Sequence, residues 1–168
     1  MEPPDVIDAL ITAWEETRPD LDPAPLAVIG RVLVLAAHLE RSVESTLRPH
    51  KLSLGQFDIL ATLRRHEPAG GLTPTVLLRS VLLTSGGMTS RLDRLAAAGL
   101  VVRKPDPSDR RGVVVTLTAK GRKLIDAATA ARFAEAKTSL PKLSKADLRR
   151  LSELLRTWLR EIGEDAII

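Results

Sequence analysis

The chain has 168 residues, enough for one domain of ordinary size or one domain with an added arm. Hydrophobic residues make up 44% and aromatic residues only 2%, so Leu, Val, Ile and Ala must fill the core. The formal net charge of +4 permits a polyanionic partner, and the absence of cysteine excludes disulfides, thiolate metal sites and thiol redox chemistry. No apolar run is long enough for a membrane span or a leader, so the expected compartment is the cytoplasm, with no membrane partner.

In chain order, "PPDVIDALITAWEETRP" sets Ile7, Leu10, Ile11 and Trp14 on one helical face and ends at Pro19. "DLDPAP" is a linker. From Leu26 to Leu47, an apolar stripe of Ile29, Val32, Leu33, Ala36, Leu39, Val43 and Leu47 predicts a long helix, with Pro49 just beyond. Ser53 with Gln56 forms a capping-box pattern ahead of a helix carrying Phe57, Leu60 and Leu63. "PAGG" is a loop. Thr73-Pro74 reads as an N-cap and first helical residue. A second cap at Thr84 or Ser85 predicts a helix to Ala98, stopped by Gly99.

"LVVRKP" and "VVVTLT" then predict two strands around a tight charged turn. An alanine-rich helix begins at Thr118. Ser144 with Asp147 caps a last helix whose Leu148, Leu151, Leu154, Leu155, Trp158, Leu159 and Ile162 share a face. Paired short helices followed by a hairpin are the order of a winged helix-turn-helix. The predicted fold class is mainly α with a small β-hairpin. The expected organisation is an extra N-terminal helix over 1–19, a DNA-binding lobe over 53–118, and dimerisation helices over 26–50 and 119–168.

At 100° per residue, Met88, Leu92 and Leu95 of the second short helix gather on a core side with Thr84. Gly86, Ser90, Asp93, Arg94 and Ala97 gather opposite, a small and partly basic face suited to a DNA groove. Gly86 and Gly87 let backbone approach a phosphate at the helix N-terminus. From Thr84 to Arg111 there are six basic against three acidic residues, which carries most of the net charge. Arg110 and Arg111 stand at the wing tip, placed to enter a minor groove or meet phosphates. The expected DNA contacts are Thr84, Ser85, Gly86, Gly87, Thr89, Ser90, Arg94, Arg103, Lys104, Arg110 and Arg111.

Other classes have little support. His38, His50 and His66 are scattered, and no Gly-rich phosphate loop or metal-ligand spacing occurs. The expectation is a non-enzyme without cofactor or metal. A ligand-independent architectural DNA binder is the rival reading.

The stretch "LLTSGGMTSRLDRLAAAGLVVRKPDPSDRRGVVVTLTAKG" (Leu82 to Gly121), with "DRRG" at the wing, resembles the MarR family of bacterial transcriptional regulators. The resemblance extends over roughly Leu26 to Ile162. It implies a homodimer formed by N- and C-terminal helices, a pseudo-palindromic double-stranded DNA operator, and release by a small molecule. The C-terminal leucine stripe independently favours a dimer, because a lone winged domain would leave it exposed.

The added N-terminal helix with its tryptophan, followed by "RPDLD", resembles the urate-responsive branch of that family. That resemblance implies a site for a small anionic aromatic ligand at Trp14, Asp58, Arg65 and Arg91, with Arg64 as the alternative to Arg65. Asp58 and Arg65 are seven residues apart and share a helix face. Arg91 lies about 60° from the core line of its helix, so it is a boundary residue that needs an anion beside it, either Asp58 in a structural salt bridge or a ligand.

Overall fold

The structure is a computed structural model that describes residues 3–81, 87–106 and 112–163. The chain packs as two compact units, Met1–Val43 and Glu44–Ile168, and the division falls inside a helix.

The first unit holds helix α1 (Val6–Thr17) and most of α2 (Leu26–Leu47). Asp5 caps α1: its carboxylate accepts from Ile7 and Asp8 N–H, and Asp8 returns the bond to Asp5 N–H. Arg31 of α2 donates to Asp5 at 2.8 Å and to Asp8 at 2.6 Å, tying the two helices together. Beside it, a Cβ on Gly30 would come within 2.9 Å of Ile7 Cδ1, so the missing side chain lets the helices meet closely. Within this unit Trp14 is 45% exposed.

In the second unit the capping patterns take effect. Ser53 and Gln56 form a capping box on α3 (Leu54–Arg65). Thr73 caps α4 (Pro74–Ser80), with proline in the first turn. Residues 82–86 lie outside the described part, and α5 spans Met88–Ala97. The helix expected from Thr84 therefore does not run through Gly87, which precedes α5 as its N-cap with φ of 80°. That left-handed conformation is incompatible with a continuing right-handed helix and is open to glycine without strain.

Gly99, with φ of 68°, ends α5: its N–H reaches Ala96 O and Leu100 N–H reaches Leu95 O. Strands β1 (Val101–Pro105) and β2 (Val113–Leu117) pair antiparallel, with Arg103 opposite Val115. Leu72 adds a single bridge to Val115 on the other edge of β2. Thr118 caps α6 (Ala119–Ser139) and also donates its hydroxyl to Gly99 O at 2.7 Å.

The core of this unit gathers Leu47, Ile59, Leu60, Leu63, Leu77, Leu92, Leu95, Val115 and Ile125, so α3, α5, α6 and the hairpin share one apolar centre. Helix α7 (Lys145–Ile162), capped by Ser144, buries none of its residues. The fold class expected from the sequence is the one observed, a mostly helical chain with one two-stranded hairpin. No described helix is long and apolar enough to cross a membrane.

Candidate nucleic-acid interface

Helix α5 is divided as its sequence predicts. Met88, Leu92 and Leu95 are buried. Thr89, Ser90, Asp93, Arg94 and Ala97 are exposed on the other side. Burial of the apolar face locks the helix rotation, so the outward side chains hold fixed directions relative to the hairpin. Lys120 strengthens this by donating to Ala98 O at 2.8 Å, placing a cation at the helix C-terminus. The N-terminal turns of α4 and α5 flank an open cavity of about 330 Å³ lined by Pro74, Thr75, Leu78, Gly87, Met88 and Thr89.

Gly87, Thr89, Ser90 and Arg94 thus lie together on one exposed end and face of α5. Arg103 and Lys104 are exposed on β1. Arg103 donates to Asp93 at 2.7 Å, a link between wing strand and helix that charge counting alone did not reveal. Thr84, Ser85, Gly86, Arg110 and Arg111 lie outside the described residues.

A second constellation runs along α3. Gly55, Asp58, Thr62 and Arg65 fall within about 80° of one another around the helix axis. Asp58 is buried and Thr62 fully so, whereas Arg65 is exposed and donates to Thr62 Oγ1 at 2.8 Å. Arg91 comes from α5 and lies half-buried against Gly55, where an added Cβ would meet its Nε at 3.0 Å and its Cζ at 3.1 Å. The two arginines therefore bracket a stripe about 10 Å long with Asp58 between them.

Gly55 and Thr62 were not singled out from the sequence. Their spacing from Asp58 was the available signal, since residues three and four apart share a helix face. Arg64, the alternative to Arg65, is engaged elsewhere: it bonds Asp126 at 2.8 Å and Glu67 at 2.9 Å. Trp14 belongs to the first unit. Among the described residues, no group of three His, Asp or Glu side chains could hold a metal ion.

Residues 50–112 match a family model described as "MarR family". The "HTH-type transcriptional regulator PecS" of Dickeya dadantii is 33% identical over 149 residues, which are 89% of this chain and 90% of that protein. The chain also matches the structure of a mutant MarR from E. coli complexed with operator DNA. That match has a TM-score of 0.67 and 26% identity, over 87% of this chain and 97% of that one. CouR from Rhodococcus jostii RHA1, solved bound to p-coumaroyl-CoA, matches with a TM-score of 0.65 and 26% identity, over 77% of this chain and 90% of that one.

Proposed function

The chain belongs to the MarR family of transcriptional regulators, and from that premise we propose that it is a ligand-responsive repressor that binds a pseudo-palindromic operator as a homodimer. The observation that carries the reading is the division of α5, with Met88, Leu92 and Leu95 buried and Thr89, Ser90 and Arg94 turned outward beside a basic hairpin. Small polar side chains with one arginine fit a major groove, and the hairpin extends the contact to the flanking backbone. The E. coli relative solved with operator DNA supports this assignment.

The effector is a small anionic aromatic molecule, with urate as the first candidate. Support comes from Arg91 and Arg65 bracketing Asp58 on α3. The arginines answer a negative edge. Asp58 between them favours a molecule that also presents N–H groups. A fused heteroaromatic anion such as urate offers both. Trp14 enters the ligand set through the resemblance to the urate-responsive branch. Arg91 projects from the helix that reads DNA, so a ligand that draws on Arg91 biases that helix. Release requires that the ligand bind the DNA-free form more tightly than the DNA-bound form.

The test is a titration of the protein–operator complex with urate and related purine anions, in a Trp158→Phe background. The coupling expected is about 1–3 kcal/mol, which weakens DNA binding about 5- to 150-fold. Asp58→Asn and Arg91→Ala should blunt the response while the proteins stay folded. If millimolar purine anions change neither Trp14 emission nor the DNA complex, the effector assignment is wrong. If no effector of any class releases the DNA, the ligand-independent reading replaces it.

A further inference from the structure

Helix α5 carries a single acidic residue, Asp93, and it stands on the outward face with Ser90, Arg94 and Ala97. A carboxylate there is repelled by a phosphate backbone. Arg103 would be the natural phosphate contact from the wing, yet its guanidinium reaches ten residues back along the chain to Asp93 Oδ1 at 2.7 Å. Two charges that face the same polyanion are thus spent on each other. The bond is charge-assisted, and moving Arg103 to a phosphate would leave Asp93 bare against the DNA.

We propose that Asp93 is a specificity-determining residue of DNA binding, which withholds Arg103 from the phosphates and braces β1 against α5. The proposal rests on the reading of α5 as the groove-reading helix. A phosphate contact strengthens binding to every sequence alike, whereas base contacts discriminate. A neutralised pair adds nothing to the sequence-independent part, so binding depends on the side chains that read the groove. The same pair fixes the angle between strand and helix, and both then meet the duplex as one body.

The experiment measures affinity against salt for the operator and for random duplex DNA. The proteins are the wild type, Arg103→Gln, Asp93→Asn, the doubly neutral Asp93→Asn with Arg103→Gln, and the exchanged pair Asp93→Arg with Arg103→Asp. Arg103→Gln bares Asp93 and should weaken binding to both DNAs most at low salt, whereas the doubly neutral Asp93→Asn with Arg103→Gln should keep the wild-type slope. Asp93→Asn frees Arg103 for a phosphate, so its slope should steepen by about 0.9. Its affinity for random DNA should rise, and its operator-to-random ratio should fall. The exchanged pair should return the slope to that of the wild type. A slope lowered by about 0.9 in the doubly neutral variant would identify Arg103 as an ordinary phosphate contact and overturn the proposal. An unchanged slope and ratio in Asp93→Asn would overturn it equally. Wild-type protein that binds no duplex DNA would overturn the reading of α5 itself, and that outcome is told apart by the wild type alone.

Discussion

Gly121 shows how much one missing methyl group decides. It is buried in the first turn of α6, and a Cβ there would stand 2.0 Å from Leu100 O and 2.9 Å from Leu100 C. The obstacle is backbone at the junction of α5 and β1, so it cannot turn aside like a side chain. Gly121→Ala should therefore destabilise the protein by about 1–3 kcal/mol through overpacking. Urea denaturation checks this, with a lowered midpoint and an unchanged slope expected. An unchanged midpoint would mean that α6 approaches Leu100 less closely than described. This role was not legible in the sequence, because the atom that Gly121 avoids comes from another element. Gly99 was legible, since its function is local: a helix stops and the chain turns left-handed. Asp58 and Arg91 fall between these cases. The resemblance to the urate-responsive branch marked them and their helical spacing was compatible with it, but only the folded chain lays Arg91 across Gly55.

Helices α3 and α6 are clasped by charges that the linear sequence does not show together. Arg64 at the end of α3 bonds Glu67 and Asp126, and Arg122 of α6 also bonds Glu67. The Arg122 bond, the larger cause, and the positive charge of Arg64 hold the Glu67 carboxyl below its ordinary range. A carboxyl whose folded pKa is lowered binds fewer protons in the folded state than in the unfolded state. Its contribution is then present above the unfolded pKa and is lost as pH falls through the folded one. Glu67→Gln should be less stable than the wild type at neutral pH. The gap should close as pH drops through and below the usual glutamate range. Urea midpoints measured across that range check it, and a gap that persists at the acid end would contradict the ion-pair account. The caps at Ser53, Thr73 and Ser144 could be read directly, because each cap is built within four residues. The start of α5 could not: Thr84 and Ser85 have cap chemistry, yet the described helix begins only after Gly87.

At the scale of the whole molecule, α2 and α7 each carry exposed apolar side chains. Val28, Ile29, Leu33, Leu35 and Leu39 of α2 are exposed, as are Leu151, Leu154, Leu155, Leu159 and Ile162 of α7. The α7 stripe was visible in the sequence as periodicity, and so were Ile29, Leu33 and Leu39 of α2, whereas Val28 and Leu35 fell outside the stripe read there and its Val43 and Leu47 are buried. What would cover them is not written in a single sequence. The dimer proposed above assigns these faces to a second copy. Deleting residues 148–168 should give aggregated or unfolded protein, seen by light scattering and circular dichroism, and a soluble folded monomer would contradict the dimer. The central claim, that a symmetric pair of α5 helices reads DNA, is tested most directly by selecting bound duplexes from a random pool and sequencing them. The account predicts one enriched motif made of two inverted half-sites, centred about 10 bp apart, one on each α5. Selection that returns no motif, or a single half-site without its inverted copy, would contradict it.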